Sequence, residues 1–446
     1  MKTIGTISIL AAILAALGIS ATGLTALTAK EADTASTVTE SVSTPAQTTS
    51  VTEAAATAAE AVTAASYTAS SYASSLLDTS DLFSKRDLSQ SADLSDAQYI
   101  TVEDNKTIEI TEAGVYVIRG TAKNCTVKVT ADGENDKVQL VLNGVSITNT
   151  STPAIYVASA DKCFITTAEN TANTLSVTGQ FTADGDTNTD AVIFSKDDIV
   201  LNGLGSLDIT SAYGNGISGK DDIKVTGGTY SITSALDAIE ANDSILVCGG
   251  EFTIKTSKDA LHAENDEDGS KGYIYISDGS FDITAKSDGI QGNAFVVIDG
   301  GKFSISASEG IEGTYIQIND GDITISASDD GINATGKSAS YNVVIEINGG
   351  DIGITMGQGD TDAIDSNGNI TVNGGNISIT AQMSSFDYDG TATYNGGTIT
   401  INGQIVNYIP QSMMGGGMGG FGGMQGGFGG GMQQGGRGGF GGGMRW

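Results

Sequence analysis

The chain has 446 residues and carries 53 acidic against 21 basic side chains, a formal net charge of −32. So acidic a chain repels phosphate backbones and anionic bilayer surfaces, which excludes nucleic acid and acidic lipid as partners. Its three cysteines, Cys125, Cys163 and Cys248, fit no zinc spacing and cannot all pair within one chain. Buried free thiols are therefore expected.

In chain order, Met1 and Lys2 precede an apolar run over residues 4–19 and a small-residue exit between Ala21 and Ala29. That pattern predicts a secretory signal peptide over residues 1–29, hence a secreted or cell-surface protein with no membrane-spanning segment after cleavage. An uncleaved anchor is the alternative reading of the same run. Residues 30–96 are rich in Ser, Thr and Ala, a composition too poor in large apolar side chains to offset its ordering entropy, and are expected to be a disordered linker. Alternating patterns at residues 98–102, 106–110, 114–118 and 138–142 predict irregular strands that cap the N-terminal end of the ordered part, residues 97–410.

From Asp190 to Ile405 one pattern recurs. It reads Asp237-Ala-Ile-Glu followed by Gly249-Gly250-Glu-Phe-Thr-Ile, then Asp288-Gly-Ile-Gln with Gly300-Gly301-Lys-Phe-Ser-Ile, then Asp362-Ala-Ile-Asp with Gly374-Gly375-Asn-Ile-Ser-Ile. The opening residues are Asp190, Asn215, Asp237, Asp259, Asp288, Glu309, Asp330, Asp362 and Asp387, and most steps between them are 21 to 25 residues. Three short period-two strands per repeat predict an all-β, right-handed parallel β-helix of about 21–25 residues per coil. The Gly- and Met-rich residues 411–446 are expected to be a disordered tail.

Coils of such a solenoid stack at about 4.8 Å, which turns each repeat position into a column. The corner column is Asp237, Asp259, Asp288, Glu309, Asp330 and Asp362; a second, three residues on, is Glu240, His262, Gln291, Glu312, Asn333 and Asp365. Two carboxylates about 5 Å apart repel by roughly 1 kcal/mol in water and by several times that in a less polar site. Either turn capping by Asp or a hard cation such as Ca²⁺ has to compensate. The candidate ligands are Asp237, Glu240, Asp259, Asp288, Glu309, Glu312, Asp329, Asp330, Asn333, Asp362 and Asp365, with Asp221 and Asp222 near the first group. Two coils carry seven extra residues each, over residues 263–273 and 334–341. These loops leave the same corner and are expected to wall a groove, with the acidic Asn265-Asp-Glu-Asp-Gly run as further ligands or as a solvated loop. His262, the one histidine, is a possible base or ligand. Tyr230, Phe252, Phe281 and Phe303 share the parity of the neighbouring isoleucines and are expected in the core, whereas Tyr273, Tyr315 and Tyr341 are candidates for stacking on sugar rings.

The Asp-[Gly/Ala]-Ile and Gly-Gly-x-Phe-x-Ile coils over residues 97–410, with the Ser/Thr-rich lead and Gly/Met-rich tail, resemble a family of clostridial carbohydrate-binding parallel β-helix proteins. The resemblance implies a calcium-containing domain that binds plant cell-wall polysaccharide, including cellulose and polygalacturonate. The chain is also similar to family 9 polysaccharide lyases, whose calcium site uses an Asp-Asp-Gly-x-Asp run and an acid from the preceding coil. Asp329, Asp330 and Asn333 stand in that run, with Asn where the family has Asp, and Glu309 stands as the earlier acid. Non-catalytic binding of an acidic pectin-type glycan is expected, since pectin hydrolases need His and Arg-x-Lys motifs that this chain lacks. The alternatives are a calcium-dependent lyase on the same fold and a structural or adhesive surface protein.

Overall fold

The computed structural model describes residues 76–359 and 361–411, so the signal-peptide reading, most of the linker and the tail from residue 412 lie outside the described residues. Thirty-one strands and no helix occur among the described residues, which makes this part of the chain all-β. Each repeat supplies a short corner strand and then a longer course that bends at the double glycine. Ile239–Ala241 with Ser244–Thr256 form one repeat, and Leu261–Ala263 with Tyr273–Thr284 form the next. Strands of successive repeats pair in parallel, each with its counterpart in the neighbouring repeat, up to the closing hairpin. Tyr230 thus meets Phe252, Phe252 meets Phe281 and Phe281 meets Phe303.

The period-two pattern is what makes these strands. In Ser244–Thr256 the residues Glu251, Thr253 and Lys255 are exposed while Phe252, Ile254 and Thr256 are buried, and the buried face joins one continuous apolar core. The glycine bend is a steric requirement. Gly301 has φ +103, and a Cβ there would stand 3.1 Å from the carbonyl of Gly279 in the preceding repeat. Just before each bend, Asn319 donates to Asp299 (2.6 Å), Asn348 to Asn319, Asn373 to Asn348 and Asn395 to Asn373 (each 2.7 Å). This amide ladder ties the coils together side chain to side chain. The stack closes with an antiparallel hairpin, Thr398–Ile401 against Gln404–Val406, turned by Asn402 and Gly403 with φ +49 and +79.

One expected boundary moves. Residues 76–96, read as part of a disordered linker, lie against the outer face of the coils. Leu76, Leu77, Leu82, Phe83 and Leu88 pack with Leu246, Cys248, Tyr275 and Phe295. Arg86 lies over the Phe164 ring at 4.4 Å, and Lys224 Nζ donates to the carbonyl of Leu82 at 2.6 Å. The averaged Ser/Thr/Ala composition concealed five large apolar side chains that have no regular period. Gln90 fastens the segment: its Nε2 donates to Thr226 O (3.1 Å) and its Oε1 accepts from Gly203 N (2.9 Å). Gln90→Ala leaves those buried backbone groups unpaired and is expected to cost about 1–3 kcal/mol in denaturant unfolding. A loss under about 0.5 kcal/mol would mean that the segment is not docked in solution. The three cysteines are buried free thiols, and burial pushes Cys163 and Cys248 up to about 12.

Candidate functional site

Parallel register builds both acid columns. Glu240 pairs with His262, His262 with Gln291, Gln291 with Glu312, Glu312 with Asn333 and Asn333 with Asp365. Asp365 then pairs with Asp387, so Asp387 belongs to this second column rather than opening a coil; Ser384 takes the corner place opposite Asp362. At four steps of the corner column, one side-chain oxygen accepts the backbone N–H of the next coil. Asp237 N donates to Asn215 Oδ1 (2.9 Å), Asp259 N to Asp237 Oδ1 (3.0 Å), Asp288 N to Asp259 Oδ1 (2.9 Å) and Asp362 N to Asp330 Oδ1 (3.1 Å). Capping thus operates between coils, and it engages one of the two carboxylate oxygens.

The second oxygens divide the column into two chemically different halves. At Asp237, Lys258 Nζ stands 2.8 Å from Oδ2 and His262 Nδ1 3.4 Å, while the same groups approach Asp259 Oδ2 at 3.8 and 3.7 Å. Burial alone would raise the Asp237 pKa, but the hydrogen bonds from His262 and Lys258 outweigh it and hold the carboxyl below its ordinary value. Burial opposes the charged form of His262, and Asp237 overcomes it, so that its pKa is raised. Glu240 Oε2 accepts from Asn215 Nδ2 (2.8 Å) and Ser218 Oγ (2.9 Å). This half carries two basic side chains of its own, and Asp237, Glu240 and His262 also bring one ligand atom each within 4.8 Å of one another.

The other half is poorer in basic side chains. Asp288, Glu309 and Glu312 each place an oxygen within 4.8 Å of the others. Burial, reinforced by the charges of Asp259, Glu312 and Glu309, pushes Asp288 up to about 8, and burial with Glu312 pushes Glu309 to about 7. Asp330 and Asp365 are likewise raised to about 7, first by burial and then by neighbouring carboxylates, Asp362 among them. Asp329 is exposed and acts on Glu309 and Asp330 through its charge. Asn333 Nδ2 donates to Glu309 Oε2 (2.9 Å), and its buried Oδ1 meets no donor. Crowded carboxylates beside an acceptor that lacks a donor are the donor set of a hard, oxygen-loving cation, and these residues fit Ca²⁺. Lys337 Nζ, 2.8 Å from Glu312 Oε2, is the cation within reach that the side chains themselves supply there.

A third acid group, Asp221, Asp222 and Asp243, lies at another corner. It borders an open cavity of about 660 Å³ lined by Glu240, Glu264, Asp266 and Lys271 among others. Burial and Asp243 raise Asp221 to about 7. Asn265 Nδ2 donates to Asp243 Oδ1 (2.9 Å), so the acidic 263–273 loop serves this group and not the Glu309 cluster. Nor do the two insertions stand apart as groove walls. Ser338 Oγ donates to Gly269 O (2.6 Å) and Tyr341 OH to Ser270 O (3.4 Å), so the loops touch. The expected sugar-stacking tyrosines are engaged by protein: Tyr273 stacks on Phe295 at 4.6 Å, Tyr341 meets the same ring edge-on at 5.3 Å, and Tyr315 OH donates to Glu346 Oε2 at 2.7 Å. Sequence reasoning overlooked Lys258 and Asp243. Lys258 immediately precedes the corner residue Asp259, which places it on the column once the repeat is aligned.

A family model described as carbohydrate-binding domain-containing protein matches residues 104–363. A carbohydrate-binding domain-containing protein of Acetivibrio thermocellus is 36% identical over 129 residues, a stretch that makes up 28% of this chain and 45% of that relative's length. The solved structure of a polysaccharide lyase-like protein from C. thermocellum, a gadolinium derivative, aligns with 69% of this chain and 94% of its own, at 22% identity and a TM-score of 0.40. The family match spans more than half of the sequence, and the chain belongs to the carbohydrate-binding domain-containing protein family.

Proposed function

We propose that this protein is a non-catalytic, calcium-dependent binder of plant cell-wall polysaccharide, exported to the cell exterior and built on a right-handed parallel β-helix. The acidic, pectin-type glycans are its primary ligand, with cellulose a second. The observation that carries the reading is the Asp288, Glu309 and Glu312 cluster, whose carboxyl oxygens converge within 4.8 Å of one another beside the donorless Oδ1 of Asn333. A chain with a net charge of −32 repels a polyuronate, so contact between the two requires a cation held by the protein and shared with the sugar carboxylates. Bound there, Ca²⁺ supplies the positive charge and the open coordination positions. Asp288, Glu309, Glu312 and Asn333 would hold it, with Asp330 and Asp365 one to two coils on. Export rests on the N-terminal apolar run, and among the described residues no helix is long and apolar enough to cross a membrane.

Lyase chemistry is the second reading, and it needs a neutral base beside the metal. Lys258 is paired with Asp237 at 2.8 Å, and although burial opposes its charged form, Asp237 raises its pKa and keeps the ammonium protonated. Lys337 Nζ is engaged by Glu312 at 2.8 Å. Incubated with polygalacturonate and Ca²⁺, the protein is expected to be retained without any rise in ultraviolet absorbance from unsaturated uronates. A steady rise that Lys337→Met or Lys258→Met abolishes would replace this reading by the lyase.

A further inference from the structure

We propose that Lys337 is a tethered counter-cation of the Asp288, Glu309 and Glu312 cluster, displaced when Ca²⁺ enters, so that the 334–341 insertion sets the calcium affinity of the site. The inference rests on the calcium reading of that cluster given above. Its geometry is specific. Glu312 is a buried acid whose side chain is 7% exposed, and Lys337 Nζ reaches its Oε2 at 2.8 Å from a side chain that is 27% exposed. The loop backbone that carries the lysine is pinned. Lys337 N and Ser338 N both donate to Thr314 Oγ1 (3.0 and 2.8 Å), and Thr314 Oγ1 donates to Asn293 O (2.7 Å). Ser338 Oγ ties the same turn to Gly269 of the other insertion. A fixed backbone with a flexible four-carbon stem delivers one ammonium to the mouth of the cluster and lets it leave without unfolding a coil.

One ammonium cannot neutralise three converging carboxylates, whereas a divalent ion can draw all of them together with further oxygens. The two cations compete for Glu312, so the ion pair is a built-in penalty on calcium binding. The opposite half of the column shows the same device carried further. There Lys258 and His262 both stand at Asp237 and Asp259, so two basic side chains already serve those acids. The number of basic side chains per half thereby grades how strongly each coil step resists a calcium ion.

Calorimetric titration of the full chain with CaCl₂ tests this, comparing the native protein, Lys337→Met and Lys302→Met. Lys302 is a surface control that removes the same charge: its side chain is 72% exposed and lies 3.5 Å from Asp322, outside the cluster. Lys337→Met is expected to tighten calcium binding by about tenfold or more, and Lys302→Met by less than about twofold. In chelator, Lys337→Met should melt below the native protein because Glu312 has lost its partner, and saturating calcium should remove the difference. Native binding with an unchanged or weaker affinity in Lys337→Met overturns the role of the lysine and leaves the calcium site standing, as does equal tightening by Lys302→Met. If neither the native chain nor Lys337→Met binds calcium, both readings fall.

Discussion

Phe281→Ala is expected to lower the unfolding free energy by about 3–5 kcal/mol, among the largest losses available to a single substitution in this protein. Phe281 lies inside a column of four rings, 4.6 Å from Phe252 and 4.8 Å from Phe303, each pair 1° from parallel, with Tyr230 stacked 5.3 Å beyond Phe252. Truncation removes two ring contacts, worth about 0.5–1.5 kcal/mol each beyond area burial. It also leaves a void that the coils above and below cannot fill, because backbone hydrogen bonds to both neighbours fix their spacing. Stability in a solenoid is a sum of nearest-neighbour interfaces, so the break is expected to be local and to uncouple the coils on either side. Denaturant unfolding checks the size of the loss, and a value below about 1 kcal/mol would mean that the ring column does not carry the stack.

The second large effect is on pH. In calcium-free protein, stability is expected to fall as pH rises from about 5 through 8, the reverse of the usual behaviour of a carboxylate-rich surface. The sign follows from Asp288, Glu309, Asp330 and Asp365, raised from the ordinary carboxyl values of 3.8 or 4.5 to about 7 or 8. A carboxyl with a raised folded-state pKa stabilises fully below its unfolded pKa, and that contribution is lost as pH climbs through the folded value. His262, also raised, adds in the same direction, while Asp237, lowered, matters only at the acid end. Calcium should cancel the loss, so its stabilising effect should be small at pH 5 and large at pH 8.5. Melting curves at both pH values, in chelator and in millimolar Ca²⁺, make the comparison. A chelated protein that melts as high at pH 8.5 as at pH 5 would contradict the burial of those acids.

The repeat was legible because it is dictated by sterics: a glycine bend at a fixed distance from an acidic corner, with one apolar parity between. From that alone the aromatic row and the order of both columns follow, as Tyr230 to Phe303 and Glu240 to Asp365 show. What the repeat does not encode was misread. Asp387 looked like a corner because it is acidic, although Ser384 lies 22 residues after Asp362 and keeps the period. The docked 76–96 segment has no period at all. The tyrosines were judged by residue type, but a ring faces solvent only if no neighbour takes it, and Phe295 takes two of them. The polarity of the column was hidden for a similar reason. It depends on where two flexible lysines, Lys258 and Lys337, come to rest, and spacing along the sequence does not specify that.

The claim on which the rest depends is that a cation, held by the corner acids, joins an acidic protein to an acidic glycan. Retention of the full chain on immobilised polygalacturonate, measured in millimolar Ca²⁺ and again in excess chelator at the same ionic strength, tests it most directly. The account predicts retention in calcium and release in chelator, with Glu309→Gln weakening the first. Retention that persists undiminished in chelator, or that is absent in calcium, would contradict it.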